Sequence, residues 1–183
     1  AIWLLFVIVL PKSLQSAGHY LYPTPSKIEM ERAVESDMKL VGDSHDPDDE
    51  HFNAIRDSVL RVHNVNDVND LPFNYGGYIM AQGEELSTKV YLKHQDDLYN
   101  VYSKQNNVER YSAFVNPYTA IKNVSMAFSG TDFQSYLNFK SEAEAYRYYL
   151  AQEMNQLQMD LIPNKGKEGP NKIKLASQDL KRV

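Results

Sequence analysis

The chain has 183 residues, 43% of them hydrophobic and 23% charged, which suits a domain with a real core and excludes wholesale disorder. Its net charge of −5 argues against a nucleic-acid partner. The lack of cysteine excludes disulfides, thiolate nucleophiles and cysteine-type zinc sites.

The chain opens on AIWLLFVIVL, an unbroken apolar run closed by Pro11 and Lys12. A spanning helix needs about 20 apolar residues, so this run does not cross a bilayer alone. A signal peptide would show a basic region before the run and a small-residue cleavage site after it, and neither stands out. A buried core helix, an interfacial anchor and the outer end of a membrane helix are three readings that fit. Soluble core helices usually keep one polar face, which this run lacks. Tyr20 and Tyr22 lie just downstream, as aromatic residues do near a headgroup layer.

Next comes YPTPSKIE, where Ser26 and Glu29 have the spacing of a capping box. The helix it predicts carries Met30, Val34, Met38 and Val41 on one stripe, and Gly42 stops it. In HDPDDEH, Asp46 suits a helix cap and Pro47 a first helical position. Asp48, Asp49 and Glu50 then fall where the helix dipole favours anions, and Phe52, Ile55, Val59 and Val62 form the expected inner stripe. NVNDVNDLP reads as a turn-rich link with room for one short helical turn.

FNYGGYIMAQGEE is ambiguous, because Gly76, Gly77 and Gly83 each cost about 1 kcal/mol against alanine inside a helix. From Glu84 to about Val115 the pattern is helical, with Leu86, Val90, His94, Leu98, Val101, Val108, Tyr111 and Val115 on one stripe. Asn116-Pro117 breaks it, and a shorter helix follows to Ser129. Gly130 predicts a left-handed helix stop, with Thr131 as a fresh cap three residues before Gln134. Ser141 and Glu144 offer another capping box. The last helix carries Ala143, Tyr146, Leu150, Met154, Leu157 and Leu161 as an expected buried stripe, and Pro163 ends it. Residues 164–183 hold six Lys/Arg against Glu168 and Asp179 and read as a basic linker, so the acidic excess lies before them.

The search for chemistry gives little. His45, Asp46, Asp49 and His51 are the best metal candidates, but their spacing matches neither an HExxH site nor a Ca²⁺ loop, and the helix dipole already accounts for the acids. No phosphate-binding loop follows Gly130, and no nucleophile elbow or dinucleotide fingerprint occurs. Glu84 and Glu85 diverge by about 100° around a helix and do not make a catalytic pair. His94 reads as a hydrogen-bonded core residue, and most of the thirteen tyrosines, Tyr146 and Tyr149 among them, as core with hydroxyls at the rim.

Two blocks carry a resemblance. LPFNYGGYIMAQGEE and NPYTAIKNVSMAFSGTDFQSYLNFKSEAEAYRYYLAQEMNQLQMD resemble the signatures of an uncharacterised domain family of ABC-2-type transporter permeases. That family has a P-L-L-A-x-R-x-L-S-M-A-L-A-G-T-D block followed by an A-E-x-Y-R helix. Pro117, Ala120, Ser125, Met126, Ala127, Gly130, Thr131 and Asp132 match the first, and Ala143, Glu144, Tyr146 and Arg147 the second. Trp3, Pro11, Pro23, Thr24, Pro25 and Ser26 resemble the family's entry segment, and LASQDLKRV its lead-in to the next membrane helix. FQSY stands where the family has a histidine cluster after Asp132, and Lys122 where arginine is common.

The resemblance implies a domain outside the bacterial inner membrane, on its periplasmic side, between the first and second membrane helices of a permease. Residues 1–12 become the end of a membrane helix, 13–163 the extracytoplasmic domain, and 164–183 the basic linker. The expected fold is mainly α, an antiparallel bundle of about four to six helices with irregular N- and C-terminal segments. The expected role is a non-catalytic contact or substrate-gating module with no cofactor. ATP hydrolysis would belong to a separate nucleotide-binding subunit, the permease would pair as a dimer, and no nucleic acid is involved. Glu84, Glu85, Pro117, Ser125, Met126, Gly130, Thr131, Asp132, Glu144, Tyr146 and Arg147 are expected to be structural. A ligand-sensing bundle of a membrane receptor is the alternative, and a metal-dependent hydrolase using His45 and His51 a third reading.

Overall fold

The computed structural model describes residues 2–164, and the rest of the expected basic linker, 165–183, lies outside them. The described residues form a mainly α helical bundle without strands. Helix α1 spans Ile2–Leu21. The others are α2 (Lys27–Val41), α3 (Glu50–His63), α4 (Tyr75–Tyr111), α5 (Pro117–Phe128) and α6 (Phe133–Leu161). Short 3₁₀ turns cover Val68–Asp70 and Ser112–Phe114.

The contacts divide into two compact units. The first joins the chain up to Val34 with Tyr91–Ala145, and the second joins Glu35–Val90 with the chain from Tyr146.

In the first unit, α1 takes in the apolar opening run and continues to Leu21. It crosses Pro11 by way of a π-helical turn over Leu5–Val9, in which the Leu10 N–H reaches the Leu5 carbonyl. The next donor in that register would be the N–H of residue 11, and Pro11 has none. Asn116 supplies it instead, its Nδ2 donating to the Phe6 carbonyl at 2.8 Å. Further along, the ideal Cβ of Gly18 would lie 3.1 Å from the Gln105 carbonyl of α4, so a small residue sets that approach. Gln105 in turn donates to the Tyr22 carbonyl. The order of these contacts makes α1 and this part of α4 antiparallel.

In the second unit, α4 and α6 also run antiparallel. Asn74, Ala81 and Glu84 meet Met159, Gln152 and Arg147 in turn. Of the glycines that made this stretch ambiguous, Gly77 fits that contact, while Gly83 faces Ser44. A Cβ on Gly77 would sit 2.8 Å from Met159 Cγ and 2.9 Å from the Asn155 carbonyl. The loop before α4 is closed by Asn164, whose Nδ2 donates to the carbonyls of Val68, Leu71 and Phe73 while its Oδ1 accepts from the Tyr75 N–H. Asn164 is therefore a fixed part of this unit, not the first residue of a linker.

Several expectations change. The cap of α3 is Asp49, not Asp46, because its carboxylate accepts from the Phe52 N–H and the helix begins at Glu50. The cap of α6 is Asp132, not Thr131, for it accepts from the Ser135 N–H at 3.1 Å. Ser141 starts nothing, since α6 runs through it. Val62, Tyr111 and Val115 point outward. Most of the α6 stripe is inverted: Tyr146, Leu150, Met154 and Leu157 are exposed, as is Tyr149. The inner face instead carries Gln152, which donates to the Ala81 carbonyl of α4, and Gln158, which reaches Asn74, with half-buried Asn155 between them. The Ser26–Glu29 capping box forms as read, with bonds of 2.8 and 3.2 Å, and Gly42 and Gly130 take positive φ of 87° and 65°.

Candidate functional site

The most developed concavity lies within the second unit. Its volume is about 820 Å³, and the end of α2, the loop Gly42–Asp49, α4 and α6 surround it. Met38, Val41, Phe52, Met80 and Met154 give it an apolar lining, and Glu84, Ser87 and Asn155 add polar groups. Methionine lends such a wall adaptable shape.

The loop is shaped by its acids. The Asp49 carboxylate accepts from the N–H groups of Phe52 and Asp43, each at 2.9 Å. Those bonds, Phe52 first, hold its carboxyl below the usual carboxylate range. Gly42 must be glycine here, because a Cβ would fall 2.5 Å from the same carboxylate. Asp43 accepts from the His45 N–H and Asp46 from the Asp48 N–H. The sequence-derived metal candidates are thus not brought together. Asp46 and Asp49 cap turns, and His51 packs edge-on against Phe52 with ring centroids 5.6 Å apart. Among the described residues no three His, Asp or Glu side chains converge on a point that would hold a metal ion.

One arrangement imitates a catalytic relay. Ser44 Oγ lies 3.3 Å from His45 Nδ1, and Asp43 Oδ1 lies 3.4 Å from the same nitrogen. A serine–histidine–aspartate relay uses the two ring nitrogens separately, one toward the hydroxyl and one toward the carboxylate. Here both partners share Nδ1, so the geometry serves the turn and passes no proton along.

The residues of the two sequence blocks make the following contacts. Arg147 donates from Nη1 to Glu84 at 2.7 Å and from Nη2 to Thr88 Oγ1 at 3.1 Å, while Thr88 donates to Glu84 at 2.9 Å. This closed triangle ties α6 to α4 beside the cavity. Glu85 pairs with Lys89 at 2.6 Å on the outer surface. Pro117 opens α5, and Met126 is half-buried. The Ser125 carbonyl accepts from Ser129, whose Oγ lies 2.8 Å from Thr131 Oγ1, so Thr131 closes the corner without capping α6. Serine contacts, first its side chain and then its backbone, depress the Asp132 carboxyl in the same way as the cap bonds do at Asp49. Glu144 and His94 are half-buried and engaged.

Sequence reasoning missed Asn116, Thr119 and Asn164. Asn116 is wholly buried and Thr119 nearly so, while Asn164 makes four bonds across 89 to 96 residues. An Asn-Pro pair reads only as a helix break, and nothing local announces its distant partner.

The architecture is that of a helical bundle preceded by a helix long and apolar enough to cross a membrane, judged by length and composition. The chain belongs to the family described as "Domain of unknown function (DUF3526)", whose model matches residues 27–183. No curated protein matches the chain, and no solved structure does.

Proposed function

We propose that the chain is the extracytoplasmic domain of an ABC-2-type permease, a non-catalytic contact or substrate-gating module held at the bacterial inner membrane by α1. The observation that carries the reading is the condition of α1. It is 20 residues long with a mean hydropathy of 1.2, and only 6% of its most apolar window is buried. Ile2 and Trp3 are 76% and 74% exposed. A core helix of that composition would be covered by protein, and apolar surface left open this way suits lipid. The SMAFSGTD and AEAYR blocks, with their resemblance to permease domains, supply the rest of the support.

On this reading the chain hydrolyses nothing. It has no Walker motif, so ATP is handled by a separate nucleotide-binding subunit reached through the rest of the permease, which pairs as a dimer. Purifying the membrane-borne parent protein in mild detergent tests this. An ATP-hydrolysing subunit should co-purify, and recovery of the parent with a kinase or methyl-accepting output module in its place would favour a receptor.

The cavity of the second unit favours that alternative, a ligand-sensing bundle. Its methionine-rich wall suits an apolar ligand. Saturable binding of an apolar fluorescent probe, lost in Met80→Glu but kept in Met30→Glu, would support the sensing role.

A further inference from the structure

We propose that α5 lies flat in the headgroup layer of the bilayer that α1 enters, with its outward apolar face against lipid; the inference rests on the membrane reading of α1 given above. Helix α5 is built inside out for a water-soluble bundle. Its protein-facing side carries Asn116 and Thr119, 0% and 1% exposed, whereas Ile121, Val124 and Phe128 are 69%, 55% and 90% exposed. Those three recur at the spacing of a single helix face, and Phe114, in the 3₁₀ turn before α5, is 88% exposed. Small and polar residues between helices with large apolar residues outside is the polarity of helices packed in lipid.

Charge agrees. The single charged residue of α5 is Lys122, and it is tied to Glu109 at 3.1 Å. Tyr118 adds a half-exposed ring with a polar tip, as interfacial layers favour.

Position decides the occupant. Asn116, at the head of α5, is bonded to the Phe6 carbonyl, inside the apolar run of α1. Lys12, the first charge after that run, lies six residues further, roughly 9 Å along a helix. If α1 enters lipid, the start of α5 is held within that distance of the lipid boundary, in the same compact unit. An amphipathic helix at that depth buries its apolar face about 5–10 Å into the boundary layer. The bond is also of the kind lipid demands, a neighbouring helix supplying the donor that a proline removes.

The chain should be reconstituted into vesicles of phosphatidylethanolamine and phosphatidylglycerol containing phosphatidylcholine brominated either near the headgroup or deep in the acyl chains. Trp3 is the sole tryptophan and reports on α1. Phe128→Trp and Ile121→Trp, each in a Trp3→Phe background, report on α5, and both positions are exposed enough to leave the fold intact by circular dichroism. The expected result is quenching of both α5 probes, shallow bromine removing more emission than deep bromine. If Trp3 is quenched and neither α5 probe is, the placement of α5 is wrong while the reading of α1 stands. Blue-shifted but unquenched emission from the α5 probes would mean that a second copy covers this face, which also overturns the proposal. If neither Trp3 nor the α5 probes are quenched, the membrane reading of α1 fails, and the placement of α5 with it.

Discussion

Asn116 gives Phe6 the hydrogen-bond donor that Pro11 lacks. The π-turn sends the Leu10 N–H to Leu5, proline offers nothing at the next position, and the amide of a wholly buried asparagine fills the place at 2.8 Å. Asn116→Ser keeps an acceptor for the Tyr118 N–H but cannot reach Phe6, so about 1–3 kcal/mol of stability should be lost. Pro11→Ala restores a backbone N–H and should shrink that loss. Thermal melts of the two single variants and the double variant in detergent measure the coupling. Simple additivity would show that the two residues do not share one carbonyl.

Gly77 tests the approach of α4 to α6. Glycine to alanine inside a helix normally stabilises by about 1 kcal/mol. Here the added carbon would meet Met159 at 2.8 Å, backbone nitrogen included. Gly77→Ala should therefore destabilise, by about 1–3 kcal/mol, as overpacking does. Chemical denaturation gives the sign directly.

Leu150 and Phe52 separate the two possible registers of α6. Leu150 is 42% exposed and Phe52 5% exposed. Leu150→Ala should cost less than about 1 kcal/mol, well below the 2–5 kcal/mol of a core leucine, while Phe52→Ala costs about 3–5. Equal large losses in urea midpoint would restore the buried stripe expected from sequence.

Asp49 makes the loop sensitive to acid. Its carboxyl titrates lower in the folded chain than the ordinary value of 3.8, so its contribution is complete above that value and is lost as pH falls through the lower, folded one. Asp49→Asn can still accept at the cap but does not titrate. Between about pH 5 and about pH 2.5 the melting temperature of the variant should fall less than that of the parent. Parallel falls would place the acid sensitivity elsewhere, with Asp132 next in line.

Much of the fold is legible in the sequence because local chemistry writes it. The Ser26–Glu29 box, the left-handed Gly42 and Gly130, and the break at Asn116 all state themselves within four residues. What stays hidden depends on distant partners. Gly76, Gly77 and Gly83 argue against a helix by propensity, and only the closeness of Met159 and Asn155 explains Gly77. The apolar stripe of α6 tells that the helix has two faces, not which one packs. Gln152 and Gln158 turn inward because α4 offers a carbonyl and Asn74 a side chain there. The Glu84–Thr88–Arg147 triangle joins Glu84 and Arg147, which the sequence marks singly but does not pair, through Thr88, which it does not mark.

The most direct test of the proposed placement asks whether the helical domain lies outside the inner membrane. The chain has no cysteine, so one introduced thiol reports alone. Leu40, 81% exposed on α2, is a suitable place. Leu40→Cys, expressed in bacterial membranes, should react with an impermeant maleimide in intact spheroplasts and resist extraction by carbonate. Labelling only after lysis, or recovery of the protein in the soluble fraction, would contradict a domain held outside the inner membrane by α1.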